Sequence, residues 1–366
     1  MDVPLVRDRH VVPTRYWHRL EDGRVQCDLC PRFCRLREGQ RGLCFVRGAL
    51  GGEIVLATWG RSSGFCVDPI EKKPLNHFYP GSAVLSFGTA GCNLACHFCQ
   101  NWDISKSRDT DRLADEASPE AIAAAAAELG CRSVAFTYND PVVFHEYAIA
   151  VARACHERGI LTVAVTAGLI CPEPRAELFA AMDAANVDLK AFTERFYREV
   201  CGGALAPVLD TLVYLRHETG IWLEITNLLI PGLNDAPAEI DAMTRWIVAE
   251  LGPDVPVHFT AFHPDWKLTD RPSTPRSTLR EARAIARGNG VRHCYTGNVD
   301  DAEGATTCCA GCGAVLVGRR GYRLTAWGLD AAGRCTACGT PCPGRFDPAP
   351  GTWGPRRLPV RLGSRR

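Results

Sequence analysis

Cys92, Cys96 and Cys99 lie in one short loop, Gly91-Cys92-Asn93-Leu94-Ala95-Cys96-His97-Phe98-Cys99-Gln100, with the aromatic Phe98 just before the last cysteine. Three and then two intervening residues let a single tight turn aim all three sulfurs at one [4Fe–4S] cubane, each thiolate taking one iron. The fourth iron then has no ligand from the motif. An open iron can chelate a small molecule and pass it one electron. The run before the loop, Ala83-Val84-Leu85-Ser86-Phe87, is short, apolar and rich in β formers, which predicts a buried strand. Gly88 and Gly91 then free the backbone to turn. The loop is thus expected at the C-terminal end of a strand, where barrel-type α/β enzymes place their chemistry. Zinc would want a fourth ligand nearby. His97 is the local choice, but it sits between two of the cysteines, where ligation would strain the turn.

From about residue 82 to 298, strands and helical patterns alternate. Candidate strands after the first are 134–137, 161–165, 185–189, 221–225, 257–260 and 291–295. Ser118-Pro119-Glu120 opens a helix with an N-cap, a proline at the first helical position and an acid in the first turn, and an alanine run carries it to Gly130. Such βα alternation predicts an α/β fold, a parallel sheet covered by helices. About six units suit an open partial (β/α)6-type barrel, because a closed eight-unit barrel needs more chain. The expected domains are an N-terminal Cys-rich segment, 1–50; the partial barrel, 51–300, with 51–80 irregular; a metal-stapled module, 301–350; and a disordered basic tail, 351–366.

The net charge of +1 gives no argument for nucleic acid or for an acidic substrate. No run approaches the roughly 18 apolar residues a membrane helix needs, and the N-terminus has no signal-peptide core. A cytoplasmic protein is expected. Nineteen cysteines are then the anomaly. In a reducing cytosol they are not disulfides, and their grouping points to metal. Cys27, Cys30, Cys34 and Cys44 suit either a closed zinc site or an auxiliary iron–sulfur cluster, with the metal folding a segment too polar to bury a core. Cys309, Cys312, Cys335 and Cys338 form two knuckles that resemble a zinc ribbon, with Cys308 and Cys342 available to substitute. Cys66, Cys131, Cys155, Cys171, Cys201 and Cys294 read mostly as small buried hydrophobes.

The loop Cys92–Gln100 resembles the signature of the radical S-adenosylmethionine (SAM) enzymes. The resemblance implies that the open iron binds the amino and carboxylate groups of SAM. It further implies that one-electron reduction yields a 5′-deoxyadenosyl radical, which abstracts hydrogen from a substrate, and that a donor such as flavodoxin or ferredoxin supplies the electron. Phe98 belongs to the signature. Thr137-Tyr138-Asn139-Asp140-Pro141 stands where the superfamily keeps its SAM-ammonium motif, with Asp140 in place of the usual Glu and Asn139 beside it. Asp140-Pro141 equally suits an Asx turn starting a helix. Thr166-Ala167-Gly168 matches a Thr-Asn-Gly of the enzymes that activate pyruvate formate-lyase, with a polar side chain missing at Ala167. Asp188 and Lys190 share a face at a strand end. Lys190 suits the SAM carboxylate, and Asp188 a ribose hydroxyl or a cation; a surface ion pair is the plainer alternative. His263 stands where the activating enzymes have a histidine near the adenosyl group.

Cys27-Asp28-Leu29-Cys30-Pro31, the run 68–81, the loop 92–102, Thr137–Pro141, Ile230-Pro231-Gly232-Leu233-Asn234-Asp235 and Thr296-Gly297-Asn298-Val299 together resemble the radical SAM member of the AmmeMemoRadiSam system. The resemblance covers most of residues 25–345. It implies Memo-like and AMMECR-domain proteins as partners. Three readings follow: a radical SAM enzyme with its own substrate, an activase that takes a glycyl hydrogen from a partner enzyme, and a non-catalytic zinc-ribbon adaptor. The intact Cys92, Cys96 and Cys99 argue against the last.

Overall fold

The computed structural model describes residues 5–106 and 115–362. Its centre is a sheet that begins with an antiparallel strand, β1 (Arg61–Pro69), followed by β2 (Ala83–Gly88), β3 (Ser133–Phe136), β4 (Leu161–Thr166), β5 (Ala184–Asp188), β6 (Trp222–Leu229), β7 (Val257–Ala261) and β8 (Cys294–Gly297). From β2 to β8 every neighbouring pair is parallel, and the spatial order follows the chain. Helices α1 (Pro119–Glu128), α2 (His145–His156), α3 (Pro172–Ala180), α4 (Ala206–His217), α5 (Pro237–Trp246) and α6 (Arg276–Gly288) occupy the six crossovers. Among the described residues β8 has no further partner, so the sheet is open. Strands β2 and β3 are buried along their whole length, as a parallel sheet covered on both faces requires. The Ser118 side chain accepts from the Ala121 N–H at 3.2 Å and starts α1 where the sequence pattern starts it.

Three regions differ from the sequence expectation. Residues 51–80 are not irregular: β1 spans nine of them, and a register shift between Ser63 and Cys66 breaks the alternation that would have revealed a strand. A boundary at residue 50 falls inside a hairpin, because Arg47–Leu50 pairs with Glu53–Leu56. Nor does the N-terminal segment lack a core: Val25, Leu29, Leu36 and Val46 pack in the same apolar core as Phe87 and Leu94. The tail expected to be disordered is ordered in part. Leu358–Pro359 pairs antiparallel with Cys66 and Val67 of β1, while residues 363–366 of that tail lie outside the described residues.

The run 68–80 is fastened by buried charge. Asp68, fully buried, accepts from Lys73 at 2.7 Å and from Lys72 at 3.0 Å. Glu224 of β6 accepts from the backbone N–H groups of Asn76 (3.0 Å) and His77 (2.7 Å) and from Trp222 Nε1 (2.9 Å), and its carboxylate lies 2.6 Å from His258 Nε2. The C-terminal module clamps the same run. It carries an antiparallel sheet of Thr307–Cys308, Val315–Arg320 and Arg323–Trp327 around a small core of its own. From it the buried Arg319 donates to the Asn76 carbonyl at 2.6 Å. No helix among the described residues is long and apolar enough to cross a membrane.

Two outcomes follow from this packing. Burial alone would push the Glu224 carboxyl up, but the His258 hydrogen bond and its other partners hold it below the ordinary value of 4.5. Its stabilisation is therefore present above that value and is lost as pH falls through the lower, folded-state value. Glu224→Ala should cost about 3 kcal/mol at neutral pH in denaturant unfolding, and the gap to wild type should narrow in acid. Gly91 has φ +77°, and a Cβ on it would lie 1.9 Å from the Cys44 carbonyl oxygen. Gly91→Ala should therefore lower stability by about 3 kcal/mol or more, read as a fall in the denaturant midpoint.

Candidate active site

A cavity of about 440 Å³ opens where the parallel strands end. The residues that follow or close β2 to β8 all contribute: Cys92, Thr137, Thr166, Asp188, Leu228, Thr260 and Gly297. Of the residues singled out in the sequence, Cys92, Cys96, Phe98, Cys99, Asn139, Asp140, Thr166, Asp188 and Lys190 line it. His263 does not. Its side chain is exposed and lies 3.4 Å from the Pro264 carbonyl, because β7 ends at Ala261 and the chain turns outward after it. His258, five residues earlier on β7, faces the cavity instead.

The cysteine loop is held from two sides. Gly88 has no side chain, and a Cβ there would meet Asn139 Oδ1 at 2.6 Å, so Asn139 can come close. Asn139 Oδ1 accepts from the Thr89 N–H at 3.0 Å, and its Nδ2 donates to Thr89 Oγ1 (3.0 Å), Ala90 O (3.1 Å) and Gly91 O (2.9 Å). The Asn139 side chain, in the motif expected to take the SAM ammonium, is thus engaged by the loop. On the other side the Ala95 and His97 N–H groups donate to the carbonyls of Cys201 (2.8 Å) and Val200 (3.0 Å). The His97 side chain is exposed, away from the cysteines.

Cys92, Cys96 and Cys99 lie together in the cavity wall, the three thiols a cubane would need. Polar groups are aimed at these sulfurs. The Leu94 N–H is 3.5 Å from Cys92 Sγ, and Ser105 Oγ is 3.0 Å from Cys99 Sγ. The Cys201 thiol hydrogen-bonds Cys96 and lowers its pKa, an effect that burial opposes and that Lys190 and Lys106 reinforce. Burial pushes Cys92 the other way, to about 12. Lys190 Nζ lies 3.0 Å from Asp188 Oδ2; although burial disfavours its charge, Asp188 and the Cys96 and Cys201 thiols keep the ammonium well above its ordinary value.

Asp140 serves the turn expected of it and more. Oδ1 accepts from the Val142 N–H (3.1 Å) and from Thr166 Oγ1 (2.9 Å), and Oδ2 accepts from the Ala167 N–H (2.8 Å). It thereby ties the end of β3 to the end of β4. The Ala167 backbone, not its side chain, is what the site uses. Sequence reasoning missed Cys201, Ser105 and Lys106, whose Nζ donates to the Leu94 carbonyl at 2.5 Å. It also left open the roof of the cavity, which Glu71, Lys73, Asn76, Arg319 and Tyr322 supply. Only the Gly202-Gly203 pair after Cys201 hinted at a close approach.

The other cysteine groups are also assembled. The sulfurs of Cys309, Cys312, Cys335 and Cys338 all lie within 4.8 Å of one another, with Cys309–Cys338 at 3.6 Å and Cys312–Cys335 at 3.7 Å. A tetrahedron with metal–sulfur bonds of about 2.3 Å has edges of about 3.8 Å, so the four form a site of the right size for one ion. Cys308 lies on a strand, and Cys342 Sγ points at His77 Nδ1, 3.8 Å away. Cys27, Cys30, Cys34 and Cys44 gather on two turns packed against the Cys92 loop.

Comparison with known proteins matches residues 87–244 to the Radical SAM superfamily. The chain is 39% identical over 325 residues to an uncharacterized protein of Methanocaldococcus jannaschii, covering 88% of this chain and 96% of that one. It is 29% identical over 116 residues to the benzylsuccinate synthase activating enzyme of Thauera aromatica, covering 31% and 34% of the two chains. Among solved structures, a radical SAM methyltransferase from Sphaerobacter thermophilus superposes with a TM-score of 0.47 at 17% identity, over 65% of this chain and 71% of that one. Sequence match and cysteine loop agree: the chain belongs to the radical SAM superfamily, and membership implies a [4Fe–4S] cluster, SAM and a one-electron donor.

Proposed function

We propose that Cys92, Cys96 and Cys99 hold the [4Fe–4S] cluster and that the chain is an enzyme acting on a substrate bound in the cavity above it. The observation that carries this reading is that the three cysteines and the Lys190–Asp188 pair line one cavity at the strand ends. When bound, the cluster and SAM supply reductive cleavage to a 5′-deoxyadenosyl radical that takes a hydrogen atom from substrate. The chain's own residues orient and enclose. Lys190 is the cation for the SAM carboxylate, and Asp188, partly exposed beside it, is the acceptor for a ribose hydroxyl. Asp140 and Thr166 brace the wall against which SAM lies. The run 71–76 and the hairpin that carries Arg319 and Tyr322 limit access of water from above. A cavity of about 440 Å³ suits SAM with a small molecule or one extended stretch of polypeptide.

The Cys309–Cys338 group suits a structural zinc ion that stiffens the module carrying Arg319. The motifs outside the loop favour the AmmeMemoRadiSam branch, with Memo-like and AMMECR-domain proteins as partners and flavodoxin or ferredoxin as donor. The match to an activating enzyme supports a second reading, in which the substrate is a glycyl hydrogen of a partner enzyme.

Anaerobic reconstitution with iron and sulfide, followed by SAM and dithionite, should yield 5′-deoxyadenosine and methionine, and Cys96→Ala should yield neither. Full iron in that variant would remove the cluster assignment. Lys190→Ala should retain iron and weaken SAM binding about tenfold in calorimetry, roughly 1.4 kcal/mol. An unchanged affinity would leave Lys190 as nothing more than the partner of Asp188.

A further inference from the structure

The cysteine loop has a second face, turned away from the cavity. Cys96, Phe98 and Cys99 line the cavity, while the side chain of His97, in the same run, is exposed. A tight turn at 265–268 is pinned to that outer face. The Asp265 N–H donates to the Leu268 carbonyl (3.2 Å), the Leu268 N–H returns to the Asp265 carbonyl (3.0 Å), and the Lys267 N–H donates to the His97 carbonyl at 3.1 Å. Trp266 sits in this turn at φ +47°, a left-handed conformation that bulky side chains rarely adopt and that only firm support maintains. Asp265 supplies part of that support. Its Oδ1 accepts from the Trp266 N–H at 2.7 Å and from Trp102 Nε1 at 3.0 Å, so one carboxylate fixes both tryptophans. Trp102 opens the short helix Trp102–Ser105 that follows the cysteines, and it is 44% exposed.

The charge beside these rings is positive. Lys267 is exposed, with its Nζ 4.7 Å from the centre of the Trp266 ring, and Lys106 Nζ lies 5.6 Å from the same ring. Lys106 also donates to the Leu94 carbonyl, and on the other flank of the loop Arg32 donates to the carbonyls of Asn93 and Gly202. Among the described residues these three cations are held by carbonyls or a ring rather than by a carboxylate. Of the neighbouring acids, Asp265 is engaged by the tryptophans, and Asp103 accepts from the Ile104 N–H at 2.9 Å. Firmly held, exposed aromatic rings among cations that no carboxylate neutralises suit a protein-docking surface with an acidic partner.

In the proposed function the cavity side of the loop is taken up by SAM and substrate and is roofed by the run 71–76, which leaves the outer face for an electron to enter. We propose, on the reading that Cys92, Cys96 and Cys99 hold the cluster, that the Trp102, Trp266 and Lys267 face docks the one-electron donor, and that this donor is a protein with acidic residues around its redox centre, such as flavodoxin. The two tryptophans are the apolar anchors, and Lys267, Lys106 and Arg32 meet the partner's carboxylates. His97, which the docked carrier covers, belongs to the same short run as Cys96 and Cys99. One electron leaves the carrier and reduces the cluster by one, and no bond forms or breaks in that step.

The test uses the full chain, reconstituted anaerobically with iron and sulfide, and flavodoxin as the probe. Oxidised flavodoxin should bind in calorimetry at low ionic strength, and Lys267→Glu and Trp102→Ala should each weaken that binding about tenfold. Added salt should weaken binding to wild type more than binding to Lys267→Glu. With reduced flavodoxin below saturation as donor, both variants should form 5′-deoxyadenosine about tenfold more slowly. Dithionite, which needs no docking surface, should drive wild type and variants equally. No binding of flavodoxin, or binding that neither variant changes, would overturn the inference, and the second result would leave the face to a protein substrate. Equal losses with dithionite would overturn it as well, because the substitutions would then act on the fold or the site. Failure of the proposed function shows separately, as no product with either donor while flavodoxin binding still responds to the variants.

Discussion

Asn139 fastens the cysteine loop to the sheet, and the geometry of the site depends on that fastening. One amide caps Thr89 and reaches the carbonyls of Ala90 and Gly91, so the loop leaves β2 along a path set by the end of β3. Backbone groups at a buried turn need partners, and here a side chain supplies them in place of a ladder. Gly88 permits the approach because any Cβ would collide with the amide. Asp140, next in sequence, performs the same service between β3 and β4. Two adjacent polar residues thereby set the relative positions of three strand ends, and those ends carry the cavity wall.

The roof is built differently. Its charges are buried in pairs: Asp68 with Lys73, Glu224 with His258, Glu71 near Arg319. Burying an isolated charge is costly, so each pair locks the segment that carries it into one position. The C-terminal module is therefore part of the cavity's enclosure as well as the carrier of a metal-sized site of four cysteines. Arg319 extends from its sheet to the Asn76 carbonyl, in the run that Glu224 grips by the backbone.

In the group of Cys309, Cys312, Cys335 and Cys338, edges of 3.6 and 3.7 Å fit one ion. The Cys92 and Cys27 groups share a boundary, at Gly91 against the Cys44 carbonyl, where the backbones approach too closely for a Cβ.

Much of this was legible in the chain itself. The Cys92 loop, the βα alternation, the capped start of α1 and the paired cysteines from Cys309 to Cys338 rest on local spacing, and local spacing is what turn geometry, helix periodicity and metal ligation read. The antiparallel β1 was hidden by its bulge, and the pairing of Leu358–Pro359 with it is a long-range contact that no local pattern encodes. The same limit applies within the site. Sequence placed Asn139, Asp140 and His263 after strands, but their hydrogen bonds depend on which backbone atoms the neighbouring strand presents. Asn139 was drawn to the loop, Asp140 to Thr166 and Ala167, and His263 to the surface. Cys201 meets Cys96 although more than a hundred residues separate them in the chain. The sequence by itself determined which residues can bind metal and roughly where each strand ends. Only the tertiary structure decided which buried polar atoms are already satisfied, and therefore which remain available for chemistry, because that depends on partners brought together from distant parts of the chain.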